Sequence, residues 1–246
     1  MEKQKIAISV SKDVLKMVDA GIDGSRVRSR SQAIEILIRK GIGNQLDTAL
    51  ILVSKQHHRL ALQPFRSSTV IGTQISFFKS NGIKRIAVLT QQNGGALAKA
   101  LSGNAEVHEV DKKYNGEALF SVRHEFTSDF IVMSGDTFST FNVRDMMEKH
   151  VQRGTLATMA LITHQKPSAY GSVVLDGDFV TDFAEKPRVA KTHLINAGVY
   201  IFKPAIFDHM SDVKSLERDL FPKLAGMKQL VGYCISGEYL HLSESL

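Results

Sequence analysis

Three short apolar runs set the tightest limits on how this chain folds. Ala49–Val53, Arg85–Leu89 and Phe130–Met133 are almost continuously aliphatic or aromatic. Runs of that length and texture fit strands buried on both faces. Helical stretches separate them, over Val70–Ser80 ending at Asn81-Gly82, over Gly95–Leu101 and over Gly116–His124, with a further strand at Glu106–Val110. Strands alternating with helices predict a mostly parallel α/β sheet that binds ligands at its strand C-termini. Phe130–Met133 delivers Ser134-Gly135-Asp136 to that edge. After a helix at Val143–Gln152 the pattern turns to strands: Thr155–Thr163, then a hairpin of Gly171–Leu175 and Phe179–Phe183 around Asp176-Gly177. Asn196–Phe202, Leu230–Cys234 and Tyr239–Leu242 follow, with helices at Pro204–Met210 and Leu216–Lys223.

The first forty-one residues have a different texture. Lys5-Ile6-Ala7-Ile8-Ser9-Val10 alternates as a strand does, with Ile6, Ile8 and Val10 on one face and Lys5, Ala7 and Ser9 on the other. A lone strand leaves its backbone unpaired, so the same strand of a second copy is its expected partner. Two helices are expected next. The first opens at Ser11 and has Val14, Leu15, Val18 and Ile22 on one face; the second is entered through Ser29-x-x-Gln32 and buries Ile34, Leu37 and Ile38. Its N-terminus, beside Arg26, Arg28 and Arg30, suits phosphate. The charge agrees, because residues 1–41 carry nine Lys/Arg against five Asp/Glu, or +4 of the chain's +6. A basic module on a near-neutral larger one fits local contact with an anion such as DNA.

This segment resembles the ribbon-helix-helix family of dimeric DNA-binding domains. The resemblance implies base reading by Lys5, Ala7 and Ser9 and a backbone clamp at Ser29, Arg30 and Ser31, flanked by Arg26 and Arg28. Two domains are expected, 1–43 and 47–246, joined at Gly41–Gln45. The single Cys234 gives neither a disulfide framework nor a thiolate metal site. A charged start with no apolar signal region, and no run of membrane-spanning length, predict a cytoplasmic protein.

The larger region resembles the sugar-phosphate nucleotidyltransferases, a Rossmann-like three-layer α/β/α fold. Five stretches in order carry the likeness: Gly135-Asp136, Tyr170–Val173, Glu185-Lys186-Pro187, Asn196–Phe202 and Leu216–Pro222. Such enzymes join a nucleoside triphosphate to a sugar 1-phosphate, and positioning and charge neutralisation supply most of the catalysis. The resemblance implies Mg²⁺ on Asp136, although that carboxylate equally suits a helix cap. It implies sugar or phosphate contacts from Tyr170, Gly171, Glu185, Lys186 and Asn196, and a phosphate contact from Arg59.

The chain departs from the family pattern at several places, among them a P-K-P segment not recognisable at Pro64–Ser67 and a nucleobase loop reduced to Asn115–Leu119. Its phosphate loop reads Ser54-Lys55-Gln56-His57-His58-Arg59, with Lys55 and His57 at the glycine positions, and His241 stands where a second metal aspartate is expected. The adjacent His57 and His58 read as a solvated loop. On these grounds the main expectation is a catalytically inactive domain serving a DNA-binding transcriptional regulator. It would form a homodimer or tetramer and sense a nucleotide, sugar phosphate or nucleotide sugar. A purely structural large domain is a further reading. The alternative is an active sugar-1-phosphate nucleotidyltransferase that also binds DNA.

Overall fold

A computed structural model describes residues 7–24, 27–42, 46–91 and 94–242. The chain divides into two compact units, Met1–Gln45 and Leu46–Leu246. The first contains helices α1 (Lys12–Ala20) and α2 (Arg30–Ile42). Ser11 caps α1, its hydroxyl accepting from the Val14 N–H. Ser29 accepts from the Gln32 N–H at 3.2 Å, and the Gln32 side chain returns to the Arg28 N–H at 2.9 Å.

Two expectations for this unit change. Residues 7–10 form no strand in the single chain, which has no partner for their backbone, while Lys5 and Ile6 lie outside the described residues. The second-helix stripe is not buried: Leu37 and Ile38 are exposed, as is Val14 on α1, and Val18 and Ala33 are the buried apolar residues there.

The second unit opens with β1 (Thr48–Val53), a 3₁₀ turn at Lys55–His57 and the one-turn α3 (His58–Ala61). A small hairpin of β2 (Pro64–Phe65) and β3 (Ser68–Thr69) follows, then α4 (Val70–Ser80), β4 (Arg85–Gln91), α5 (Gly95–Leu101) and β5 (Glu106–Val110). Next come α6 (Asn115–Ser121), β6 (Phe130–Ser134), β7 (Thr137–Ser139), α7 (Val143–Arg153) and β8 (Ala157–Thr163). The chain continues through β9 (Gly171–Asp176), β10 (Phe179–Glu185) and β11 (Leu194–Phe202), then a 3₁₀ turn at Pro204–His209 and a π-turn at Leu216–Leu220. The π-turn leads into α8 (Phe221–Gly226), and β12 (Leu230–Cys234) and β13 (Tyr239–His241) complete the element order.

Nine strands form one sheet in the order β5-β4-β1-β6-β11-β8-β12-β10-β9. The four leading strands run parallel, whereas β11 is antiparallel to both β6 and β8. The sheet is therefore mixed rather than mostly parallel. Alternate residues of β1 enter opposite cores, as a period of two requires. Leu50 packs with Leu119, Tyr200 and Phe221, and Ala49, Ile51 and Val53 pack with Ile71, Phe78 and Met146. Helices on both faces give three layers. Among the described residues no helix is long and apolar enough to cross a membrane.

From β1 the chain winds outward through β4 to β5, then returns to place β6 on the other flank of β1. In sheets of this kind the ligand crevice lies where the strand order reverses, which here is outside the C-terminal ends of β1 and β6.

Candidate active site

Gly135 holds the floor of this crevice. Its N–H donates to Leu52 O at 2.7 Å, and a Cβ there would meet Leu52 O at 2.9 Å and Val53 Cγ2 at 2.8 Å. Only a bare backbone lets β6 turn so close to β1 and carry Asp136 outward. The short β7 then pairs with β13, placing His241 opposite Thr137, and the Leu242 N–H donates to Asp136 O at 2.8 Å. Asp136 is half-buried, as are the two histidines that face the same carboxylate oxygen. His57 Nδ1 stands 3.5 Å from Asp136 Oδ2, and His241 Nε2 stands 3.9 Å away.

Contacts run from this group along the crevice. The His241 ring lies edge-on to buried Tyr170 at 5.5 Å between centroids, and Tyr170 meets His164 at 4.6 Å. Tyr170 O accepts from the Lys186 N–H at 3.0 Å, with Lys186 at a positive φ of 47°. Gly171 pairs with Glu185 across the β9–β10 hairpin, and a Cβ at Gly171 would strike the Phe183 ring at 2.6 Å. Burial raises the Glu185 pKa above the ordinary carboxylate value, and Glu217 raises it further against the opposing Lys186 and Arg218.

Glu217 in turn accepts from Asn115 Nδ2 at 2.9 and 3.1 Å, tying the start of α6 to the 216–222 stretch. Asn196 is already engaged within its own strand. Its amide nitrogen donates to Tyr200 Oη at 2.7 Å, and its oxygen accepts from the Gly198 N–H at 2.9 Å.

On the β1 side no glycine loop exists. The 3₁₀ turn uses its own backbone donors, His57 N–H to Ser54 O and His58 N–H to Lys55 O. Lys55 and Arg59 are exposed beside it. His58 is not in a solvated loop: it is half-buried, 2.6 Å from Thr90 Oγ1, and burial pulls its pKa down. Asp136, Tyr170, Gly171, Glu185 and Lys186 thus lie along one line of contacts, while Arg59 stands exposed on α3. The meeting of His57 and His241 at Asp136 escaped sequence reasoning. Its trace in the sequence is that His57 stands at a glycine position of the family's phosphate loop and His241 where a second metal aspartate is expected.

The residues assigned to DNA lie in the other unit. Ala7, Ser9, Arg28, Ser29 and Ser31 are exposed, and Lys5 and Arg26 lie outside the described residues. Arg30 is committed within the chain: its guanidinium donates to Asp19 at 2.6 and 2.8 Å.

The family model described as "Nucleotidyl transferase" matches residues 43–234. A mannose-1-phosphate guanylyltransferase catalytic subunit beta from Danio rerio is 34% identical over 223 residues, covering 85% of this chain and 61% of that protein. The protein of the same name from Drosophila pseudoobscura pseudoobscura is 30% identical over 219 residues, covering 80% of this chain and 59% of its own length. The chain therefore spans about three-fifths of the length of these relatives. Among solved structures, a UDP-glucose pyrophosphorylase complexed with UDP-glucose superposes with a TM-score of 0.67 at 17% identity, covering 80% of this chain and 94% of that one. That likeness speaks to fold.

These matches overturn the expectation of an inactive domain serving a DNA-binding transcriptional regulator. The relatives along most of the chain are named as guanylyltransferases, and a ribbon-helix-helix regulator finds no support among them. The missing glycines misled because they describe one way of holding phosphate, whereas likeness over 219 and 223 residues weighs the whole domain. With its sheet order, its Gly135-Asp136 turn and the match over 43–234, the chain belongs to the nucleotidyl transferase family.

Proposed function

We propose that this chain is an active sugar-1-phosphate nucleotidyltransferase, with a guanosine triphosphate and mannose 1-phosphate as the substrates to test first. The observation that carries the reading is the line of contacts from Asp136, at the end of β6, through His241, Tyr170 and Lys186 to the β9–β10 hairpin with Glu185. The two relatives named above support the substrate pair.

In this reading a sugar phosphate oxygen attacks the α-phosphorus of the triphosphate, and pyrophosphate leaves. Glu185, whose pKa burial raises, is suited to exchange hydrogen bonds with sugar hydroxyls, and Lys186 to pair with phosphate. Lys55 and Arg59 offer side-chain cations where a loop of backbone N–H groups is absent. Mg²⁺, a hard cation that takes oxygen ligands, would be held by the Asp136 carboxylate together with substrate phosphates. When bound, it would neutralise phosphate charge. A cytoplasmic location accompanies this reading.

The test is pyrophosphate release from GTP and mannose 1-phosphate with Mg²⁺. Turnover is expected, and Asp136→Ala should lower kcat/KM by about 100-fold, or roughly 2.7 kcal/mol. No release with any of the four common nucleoside triphosphates, paired with mannose or glucose 1-phosphate, would sink the proposal.

The N-terminal unit carries a second proposal, that it pairs with its copy in another chain as a ribbon-helix-helix. The support is an apolar set left exposed in the single chain: Ile8, Val10, Val14, Met17, Leu37 and Ile38. In such a homodimer, or a tetramer built from it, Lys5, Ala7, Ser9, Arg26, Arg28, Ser29 and Ser31 would offer a double-stranded DNA contact. Arg30, held by Asp19, is the member of the expected clamp that this geometry removes.

A further inference from the structure

We infer that Gln74 is a positioning residue for Asp136: its side-chain amide holds the turn that aims this carboxylate. The inference rests on the nucleotidyltransferase reading only for what the carboxylate does once it is aimed.

Gln74 stands on a helical face that is otherwise apolar. With Val70, Ile71, Ile75 and Phe78 it makes the buried side of α4, and it has no solvent exposure itself. A buried amide in such a place is costly unless its polar atoms are used. Its nitrogen donates to Ser134 O at 2.9 Å and to Thr137 O at 2.6 Å, so both N–H groups are engaged. Those two carbonyls bracket Gly135-Asp136, where β6 ends and β7 begins. Gln74 Oε1, by contrast, is buried without a hydrogen-bond partner among the described residues. The side chain therefore leaves its own acceptor unsatisfied while serving two carbonyls 60 and 63 residues further along the chain. Packing alone would be served better by an aliphatic residue.

The same turn is held from other directions. Thr137 Oγ1 donates to Ser134 O at 3.2 Å, and the Leu242 N–H reaches Asp136 O from β13. Gly198, at φ 72°, brings β11 so close that a Cβ there would meet Thr137 Oγ1 at 2.9 Å. Among these contacts, Gln74 is the one that ties both ends of the turn to a helix. A carboxylate that shares a metal ion with phosphates works only if its backbone is held in place, because small displacements weaken ligation.

The experiment compares the full chain with Gln74→Met, which matches the side chain in length and removes both donors. Backbone hydrogen exchange over residues 134–139 should quicken by about 10-fold, the scale of one or two lost hydrogen bonds, while exchange in β8 and β12 keeps the wild-type rate. Mn²⁺ affinity, read by paramagnetic resonance at saturating inorganic pyrophosphate, should fall by about 10-fold. Gln74→Asn, with the same two donors on a shorter side chain, should lie between the two chains in both readouts. Unchanged exchange over 134–139, or unchanged Mn²⁺ affinity, would overturn the inference. So would exchange that quickens equally across the sheet, which would make Gln74 a packing residue. A wild-type chain that releases no pyrophosphate would remove the enzyme proposal, whereas exchange over 134–139 needs no substrate and would still decide whether Gln74 holds the turn.

Discussion

His150, on α7, has no solvent exposure. Its Nδ1 lies 2.8 Å from Thr158 Oγ1, and its Nε2 faces Asp129 at 3.6 Å. Burial, with Lys203 adding to it, lowers its pKa from 6.5 to about 4. The folded state therefore keeps this imidazole neutral where the unfolded chain would protonate it. Stability from this group is complete above pH 6.5 and is lost as the pH falls towards 4, because the unfolded state then binds the extra proton. Between pH 7.5 and 5 the loss should be about 2 kcal/mol. Asp129, whose pKa burial raises, acts in the opposite sense, at lower pH. Urea unfolding at both pH values checks this. His150→Gln, which keeps a polar partner for Thr158, should flatten the pH dependence by that amount. An unchanged slope would mean that His150 reaches solvent in the native state.

Among the elements, α7 shows how local sequence and packing divide the work. Asn142 accepts from the N–H groups of Arg144 and Asp145 at 3.1 and 3.2 Å, and Gly154 ends the helix in the left-handed region at φ 68°. Val143, Met146, Met147 and His150 form its buried face. Capping donors left without a partner cost about 1 kcal/mol. Asn142→Ala should therefore lower unfolding free energy by that amount, read as a shift in the urea midpoint without a change in slope. The stretch at 55–61 is the contrasting case. Its sequence departs from a glycine loop, and the chain responds with a 3₁₀ turn and one turn of helix. Nothing local says where the side chains of that turn will point. The strand at 137–139 was missed for a similar reason: three residues carry no period, and β7 exists only because β13 lies beside it.

At the scale of the whole molecule, the two units make different demands on a second chain. The larger unit has two continuous cores of its own, one on each face of the sheet. The N-terminal unit buries only Val18 and Ala33 among its described apolar residues and leaves six large ones exposed. So small a core does not hold a fold by itself. Sedimentation velocity should therefore show a dimer for the full chain. Val14→Glu with Leu37→Glu should shift it to monomer while leaving the far-UV spectrum of the larger unit in place, and a monomeric wild-type chain would rule the pairing out.

The sequence by itself determined strands at 49–53, 85–89 and 130–133, which the structure extends to 48–53, 85–91 and 130–134, and the helix at 70–80, because a run of apolar side chains or a helical span ended by Asn-Gly is a local signal. It also placed Gly135-Asp136 at a strand end and ordered the motifs at 170, 185, 196 and 216. Tertiary structure alone decided the mixed sheet order, the Asp19–Arg30 pair and the meeting of His57, Asp136 and His241 at one carboxylate oxygen. The physical reason is distance along the chain. Side chains at 57, 136 and 241 share no local period, and only the reversal of the sheet at β1 and β6, with β13 laid against β7, brings them within 4 Å of one another's partner.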